Sequence, residues 1–212
     1  MRVSVIMPTA NRPEMLEKAI LGFLAQDWED KELIVVGSHF GNSPLAENIQ
    51  YHLNVMHDPS IGAKRNRACG IARGEIICHF DTDDVYAPDW ITKSVNALIQ
   101  SAASMTGLSS AYFYQQDPEK FYKYNYRGSQ PYVVGASMCY HRRVWGKNKF
   151  KDISEGEDAQ FCAMAGNIVP HNYIEGFCAI LHGANTASHK QIWQFKELPL
   201  SEKEKVFSNL LR

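Results

Sequence analysis

Long apolar runs are missing from this sequence. No segment approaches the ~20 consecutive apolar residues that a membrane-spanning helix requires, and the apolar run that begins at Val3 is too short for a signal peptide. The five cysteines lack the close spacing of a zinc site, and several lie in apolar segments. These absences predict a cytoplasmic protein with no transmembrane segment, whose cysteines are small buried side chains in a reducing compartment.

An overall excess of one charge is also missing. The 212 residues include 22 Lys/Arg and 23 Asp/Glu, a net charge of −1 that favours no class of partner by itself. The distribution is uneven, because residues 111–151 contain eight basic and only two acidic residues, a net charge of +6. With 45% hydrophobic residues, the chain is long enough to form one large domain around a hydrophobic core.

The stretch from Ile76 to Asp84 is a largely apolar run that ends in three carboxylates within four residues. The run predicts a buried strand, with Asp81, Asp83 and Asp84 where it leaves the sheet. Ligands of open α/β sheets gather at the carboxyl ends of such strands. Because three anions this close repel one another, the stretch favours a hard divalent cation that carries phosphate oxygens. An acidic turn that caps the next helix is the alternative.

Strands and helices alternate on both sides of this stretch. The order in the first half predicts a parallel sheet with helices on both faces, from strands at 3–7, 33–36, 53–56 and 76–80 and helices at 14–26, 61–72 and 89–101. The second half is mixed, with strands predicted at 111–114, 121–127, 133–140 and 177–181 and helices at 156–165 and 200–211.

Three stretches, taken together and in order, resemble the family 2 glycosyltransferases with the GT-A fold. They are the loop Pro8–Pro13 with the helix behind it, the segment Lys64–Glu75 followed by the DxD-like Asp81-Thr82-Asp83-Asp84, and the "ED" segment Gly156-Glu157-Asp158. The resemblance implies one α/β domain over 1–212 with a mixed sheet. It divides into a nucleotide-sugar-binding half (1–103), an acceptor-binding half (104–190) and a helical tail (191–212).

The resemblance also implies the chemistry of the site. An enzyme of this family moves a sugar from a nucleoside-diphosphate donor to an acceptor hydroxyl, with inversion at the anomeric carbon. The expected donor is a UDP-sugar. By the family pattern Asp83 binds the metal and Asp81 faces the donor ribose or the metal. A histidine in the region of His182 can complete the metal shell in such enzymes; a surface or capping histidine is the alternative, and His189 is a weaker candidate. Oxygen ligands favour Mn²⁺ or Mg²⁺ over zinc.

The implied donor-binding residues lie after the first strand, on the second helix and in the acidic turn: Pro8, Thr9, Asn11, Arg12, Lys64, Arg65, Asp81, Thr82 and Asp83. For Lys64 and Arg65 the alternative is an exposed helix position without a donor contact. Asp84 is expected to hold the loop or the donor sugar, and His79, inside the buried strand, is expected to be a core histidine.

The resemblance places the general base at Asp158 or at its neighbour Glu157, and the sequence does not separate the two. Both residues lie near a predicted helix start, where the helix dipole favours an ionised carboxylate. Simple charge complementation of that helix is the alternative. A base is needed because the acceptor hydroxyl is a poor nucleophile until its proton is removed.

Two features leave the substrates open. The turn Gly37-Ser38-His39-Phe40 stands where the family often has a DDGS-like acidic turn that contacts the donor base. The basic segment also carries several aromatic residues, Tyr122, Tyr124, Tyr126, Tyr132 and Trp145. It is compatible with a polyanionic acceptor, such as nucleic acid with a hydroxylated base or a phosphate-bearing glycan or lipid headgroup, or with a solvated surface over an ordinary core.

Two other functions are consistent with the same fold. One is a nucleotide-sugar-binding module without turnover. The other is a nucleotidyltransferase, which the absence of glycine from the loop Pro8–Pro13 argues against.

Overall fold

The computed structural model describes residues 1–41, 46–53, 59–183, 185 and 195–211. It shows an α/β fold with two sheets. The strands are β1 (Val3–Pro8), β2 (Lys31–Gly37), β3 (Ile49–Leu53), β4 (Ile76–His79), β5 (Val85–Tyr86), β6 (Met105–Thr106), β7 (Ser110–Gln115), β8 (Lys120–Asn125), β9 (Cys139–His141), β10 (Phe177–Leu181) and β11 (Lys196–Leu198). The helices are α1 (Pro13–Leu24), α2 (Ile61–Ile71), α3 (Trp90–Gln100), α4 (Arg142–Lys147), α5 (Glu157–Met164) and α6 (Leu200–Leu210), with short 3-10 helices at Gly135–Ser137 and Ile174–Gly176.

The first sheet has the strand order β3-β2-β1-β4-β9-β6. Strands β3, β2, β1 and β4 are parallel, whereas β9 runs antiparallel to β4 and β6 antiparallel to β9. Alternate residues of a strand point to opposite faces, so Val5 joins a cluster with α1 and α3 while Ile6 joins a cluster with α2 and α5. The predicted mixed α/β sheet with helices on both faces is confirmed.

The second sheet has the order β11-β8-β7-β10-β5 and packs on α6 through a separate cluster that includes Phe121, Val206 and Leu210. Strand β5 follows the acidic turn and pairs with the start of β10. The two sheets therefore meet at the carboxyl end of β4. This places the end of β10 beside the three carboxylates that follow β4.

Two strand predictions differ from the structure. The strand predicted at 133–140 is wrong over its first half, because Gly135–Ser137 is a 3-10 turn and only Cys139–His141 is a strand. The Ser137 hydroxyl donates to Val134 O at 2.7 Å and accepts from Leu108 N at 2.8 Å, which stabilises the turn. The third strand spans Ile49–Leu53 and so begins earlier than predicted, while residues 54–56 lie outside the described residues.

The cysteines follow their prediction, since all five are buried and unpaired. Across the described residues, no helix combines the length and the apolar character needed to span a bilayer.

Candidate active site

A cleft of about 710 Å³ opens where the carboxyl ends of β1 and β4 face the second sheet. It brings together predicted residues from four separate segments: Pro8, Thr9, Arg12, Lys64, Arg65, Asp81, Thr82, Asp83, Glu157 and Asp158. Asn11 is exposed and does not line the cleft. His182 reaches the same region through Asp83, and His189 lies outside the described residues.

Asp83 is the residue on which polar groups converge. Its Oδ2 accepts hydrogen bonds from Arg12 Nη1 at 3.1 Å and from Asn185 Nδ2 at 3.0 Å, and it lies 3.1 Å from His182 Nε2. One carboxylate oxygen of the acidic turn thus contacts two residues that follow β10, His182 and Asn185. Asn185 was missed by the sequence reasoning, because a single Asn after a strand carries no distinctive signal.

The other two acids of the turn have different environments. Asp84 Oδ1 accepts a hydrogen bond from Ile180 N at 3.1 Å, which ties the turn to β10 and fits the expectation that this residue holds the loop. The backbone N–H of Asp81 donates to the Tyr86 hydroxyl at 2.9 Å. Burial and the neighbouring Asp83 and Asp81 raise the pKa of Asp84 well above its usual range. Burial raises the pKa of Asp81 as well, although Arg65 opposes the shift.

Arg65 lies at the centre of a buried ion-pair network. Its guanidinium donates to the carboxylate of Glu157 and also lies 3.4 Å from Asp81. Lys64 and Arg65 are both buried, with relative exposures of 4% and 3%. The alternative of exposed helix positions for these two residues is therefore wrong. The reason is that α2 packs tightly on its neighbours, as the contact of Gly62 with the Lys151 carbonyl illustrates.

The two carboxylates of the "ED" segment lie in distinct environments. Glu157 is buried and engaged by Arg65; burial raises its pKa and Arg65 counteracts that rise. Asp158 lines the cleft, where its Oδ2 accepts a hydrogen bond from the Tyr132 hydroxyl at 3.1 Å. Gly156, with φ of 78°, adopts the left-handed conformation that turns the chain into α5. Both residues line the cleft, but Glu157 is buried whereas Asp158 is partly exposed.

His79 is a core histidine, as expected. Its ring is fully buried, with Nδ1 2.8 Å from Gly135 O and Nε2 3.1 Å from the Tyr140 hydroxyl. Burial is the main cause that holds its pKa well below the usual range, so the ring is neutral. It connects the central strand to the turn that packs against Asp158.

The aromatic residues of the basic segment are distributed over two locations. Tyr124, Tyr126 and Tyr132 line the cleft. Trp145 lies behind α2, where its indole N–H donates to Asn66 Oδ1 at 3.0 Å. The structure adds two cleft-lining rings that the sequence reasoning missed, Phe113 and Phe195. The alternation of side chains along β7 puts Phe113 on one face of the strand, but it does not tell whether that face lines the cleft.

The sequence profile of Glycosyl transferase family 2 matches residues 4–166, which include the acidic turn and the "ED" segment but not the cleft-lining residues from β10 onwards. The chain belongs to the family 2 glycosyltransferases. Among curated relatives, a GalNAc(5)-diNAcBac-PP-undecaprenol beta-1,3-glucosyltransferase from Campylobacter jejuni is 29% identical over 110 residues, covering 48% of this chain and 34% of the relative. The matched regions span between 34% and 56% of the length of the first curated relatives.

Solved structures with the same fold are more distant in sequence. S. aureus TarS 1-349 in complex with UDP-GlcNAc has a TM-score of 0.68 at 15% identity, covering 100% of this chain and 72% of TarS. The mannosyltransferase PcManGT from Pyrobaculum calidifontis, in complex with GDP-Man and Mn²⁺, has a TM-score of 0.62 at 15% identity, covering 89% of this chain and 57% of the other. These likenesses confirm the GT-A fold.

The residues around Asp83 fit a divalent cation. Adjacent octahedral ligands at ~2.1 Å from Mg²⁺ lie ~3.0 Å apart, and Asp83 Oδ2 and His182 Nε2 are separated by 3.1 Å. Within the described part of the chain no three His, Cys, Asp or Glu side chains form a ready-made metal cage. A two-ligand site of this kind suits Mg²⁺ or Mn²⁺, which usually complete their coordination with substrate phosphates and water.

Proposed function

We propose that this chain is a metal-dependent, inverting glycosyltransferase that moves a sugar from a nucleoside-diphosphate donor to an acceptor hydroxyl. The observation that carries the proposal is one cleft lined both by the acidic turn at Asp81–Asp84 and by the carboxylate of Asp158. Group transfer needs both features, because charge gathers on the leaving diphosphate while the attacking hydroxyl must lose a proton. Family membership supports the same reaction class.

The proposed donor site lies at the ends of β1 and β4. Pro8, Thr9 and Arg12 contact the nucleoside side, and Lys64 with Arg65 provides positive charge near the diphosphate. The Thr9 hydroxyl is buried and has no hydrogen-bond partner among the described residues, which suits a contact with the donor. UDP is the proposed nucleotide; S. aureus TarS, a structural neighbour, was solved with UDP and with UDP-GlcNAc.

In the proposed mechanism Asp83 and His182 hold a divalent cation, Mn²⁺ or Mg²⁺, which supplies charge neutralisation for the departing diphosphate. Asp158 accepts the proton of the acceptor hydroxyl, while Tyr132 orients its carboxylate. The hydroxyl oxygen attacks the anomeric carbon from the face opposite the diphosphate. The bond to the diphosphate oxygen breaks as the new glycosidic bond forms, so the configuration inverts.

A screen of sugar nucleotides tests this proposal. The melting temperature of the protein is measured with UDP-, GDP- and dTDP-sugars, each with and without Mn²⁺, and the released nucleoside diphosphate is then quantified for any donor that binds. We expect Mn²⁺-dependent stabilisation and slow release of the free nucleotide. Stabilisation without any release, even with an acceptor library, would indicate the nucleotide-sugar-binding module instead. No stabilisation by any donor would reject the proposal.

A further inference from the structure

We propose that five rings on one side of the cleft form a subsite for an uncharged sugar ring of the acceptor. The rings belong to Phe113, Tyr124, Tyr126, Tyr132 and Phe195, and together they are called the aromatic wall. The inference rests on the proposed function, because it names the chemical class of the acceptor that reaches Asp158. It also decides between the polyanionic and the uncharged acceptors that the sequence left open.

The rings of the aromatic wall form two groups of contacting rings, one of three and one of two. The Phe113 and Phe195 ring centroids are 4.6 Å apart, and Tyr124 lies 5.2 Å from Phe195 and 6.2 Å from Phe113. All three side chains are partly exposed, unlike core rings such as Phe121, which is fully buried. The ring planes are inclined to one another by 35° to 82°, so these partly exposed rings offer an apolar surface made of ring faces and ring edges inside the cleft.

The wall continues to the proposed base. Tyr126 and Tyr132 have ring centroids 4.9 Å apart, and the Tyr132 hydroxyl donates to Asp158 Oδ2 at 3.1 Å. A sugar ring that lies on these faces therefore has its hydroxyl groups within the neighbourhood of the Asp158 carboxylate. The position suits an acceptor, because the donor side of the cleft is at Thr9 and the acidic turn.

Charge in the cleft argues against a polyanion. Of the described residues that line the cleft, the basic ones are Arg12, Lys64 and Arg65, and all three are on the donor side. Two of them pair with acids, Arg12 with Asp83 and Arg65 with Asp81 and Glu157. The acceptor side instead contributes the carboxylates of Glu155 and Asp158. A chain of phosphates entering this side would meet negative charge.

The eight basic residues of 111–151 lie elsewhere, since none of them lines the cleft. Lys123 Nζ is 5.8 Å from the centroid of Tyr112, on the opposite face of β8 from Tyr124. Lys120 pairs with Glu197 at 3.2 Å, and Lys149 Nζ lies over the ring of Trp145. The charge that suggested a polyanionic acceptor therefore does not reach the reaction site.

The chemistry of the aromatic wall matches a sugar ring. One face of a pyranose presents C–H groups, which pack against the electron-rich face of an aromatic ring, while its hydroxyls remain free to hydrogen-bond at the edges. An anionic group gains nothing from the same ring face, whose quadrupole is negative. The five rings thus select for an uncharged carbohydrate acceptor.

The test measures acceptor binding separately from donor binding. Wild-type protein with UDP and Mn²⁺ is mixed with methyl glycosides and neutral disaccharides of common hexoses and N-acetylhexosamines, or with a twelve-nucleotide oligo(dT) as the polyanionic probe. Saturation-transfer NMR reports which ligand protons contact the protein. Calorimetry gives the UDP affinity of every variant. The variants are Tyr124→Leu, Tyr124→Phe and, as a control in the same hairpin but on its other face, Tyr114→Leu.

We expect at least one neutral saccharide to receive saturation at the C–H protons of one ring face. Tyr124→Leu should weaken the binding of this saccharide about tenfold, as expected for the loss of one stacking partner. Tyr124→Phe and Tyr114→Leu should change the saccharide affinity by no more than about twofold. All variants should retain the wild-type UDP affinity. The inference fails if oligo(dT) binds and the saccharides do not, if no probe binds, or if Tyr124→Leu has no effect. Loss of UDP binding in the wild type would instead contradict the proposed function.

Discussion

Arg65 donates a hydrogen bond to the buried carboxylate of Glu157, and the same guanidinium faces Asp81 across 3.4 Å. A single buried cation thus joins the acidic turn of the proposed donor site to the first residue of α5. The next residue, Asp158, is the proposed base. The neighbouring carboxylates 157 and 158 therefore differ in environment, and we propose that one holds the helix start while the other takes part in the reaction.

The buried pair predicts a large loss of stability on removal of its cation. Arg65→Met leaves the buried Glu157 and the partly buried Asp81 without their positive partner, and we expect the free energy of unfolding to fall by about 3–5 kcal/mol. Urea denaturation measures the change. The double variant Arg65→Met/Glu157→Met removes one of the uncompensated charges and should recover part of the loss. A double variant less stable than Arg65→Met would contradict this account.

Asp158→Asn should abolish transfer while donor binding persists. The amide has the shape of the carboxylate but accepts no proton, so we expect the turnover rate to fall by about 10²–10⁴. Steady-state kinetics and calorimetry with UDP separate the two effects. Glu157→Gln is the matched comparison, because its amide oxygen still accepts from Arg65. A properly folded Glu157→Gln enzyme that is as inactive as Asp158→Asn would reject the assignment of the base.

Arg12→Gln should strengthen Mn²⁺ binding in the absence of donor. Arg12 now donates to Asp83 Oδ2, the oxygen proposed as a metal ligand, so the two cations compete for it. Removing one charge-assisted hydrogen bond should raise the affinity for Mn²⁺ about tenfold, measured as free Mn²⁺ by electron paramagnetic resonance. Arg127→Gln, an exposed cation that does not line the cleft, is the control. Equal Mn²⁺ affinity in both variants would show that Arg12 and the metal do not compete.

Gly135→Ala should impair the reaction through the position of Asp158. A Cβ at residue 135 would lie 2.8 Å from Asp158 Oδ2 and 3.0 Å from Asp158 Cβ, so the carboxylate must move. Misplacement of a reacting group by about 1 Å can lower the rate about 10²-fold, and we expect that loss in kcat with unchanged UDP affinity. Gly146→Ala is the control, since no atom lies within 4 Å of its Cβ position. Wild-type kcat in Gly135→Ala would contradict the prediction.

His171 predicts a loss of stability in mild acid. Burial lowers its pKa from 6.5 to about 4, and within the described part of the chain its Nε2 has no hydrogen-bond partner. As the pH falls from about 6.5 to about 4, the unfolded chain takes up a proton that the native state does not, so the free energy of unfolding decreases over this range. His171→Gln should lose less stability than the wild type between pH 7 and pH 5 in thermal unfolding. His39→Asn, at an exposed position, should follow the wild type.

The parts of the fold that follow from local patterns could be predicted from the sequence. The strand Ile76–His79 and the helix Glu157–Met164 were found because buried runs and helical spacing are local signals. The turn at Gly135–Ser137 could not be predicted from the sequence. Its conformation depends on a hydrogen bond between Leu108 N and the Ser137 hydroxyl, which are 29 residues apart in the chain. Apolar residues on either side of the turn imitate a strand.

The candidate site likewise has residues that the sequence predicted and residues that it did not. The motif residues Asp83 and Asp158 were identified from the sequence, and the structure brings them to one cleft. The burial of Arg65 and the contribution of Asn185 depend on long-range packing that no local pattern reports. The basic residues of 111–151 suggested a polyanionic acceptor, but a linear count of charges does not tell which face of β8 each side chain occupies, and none of these residues lines the cleft. The domain limits and the roles of the individual site residues stay predictions.

Of the aromatic wall, Phe113 lies on β7 and Tyr124 on β8, in the sheet packed on α6, whereas Asp83 and Thr9 follow strands of the sheet that holds β1 and β4. The contact with α6 is made through an apolar cluster separate from those around β1 and β4. Evolution could therefore exchange the rings of β7 and β8 to suit another acceptor while the machinery that handles the activated sugar stays intact. Grafting the hairpin of a relative onto this scaffold is, for the same reason, a direct route to redirecting its products.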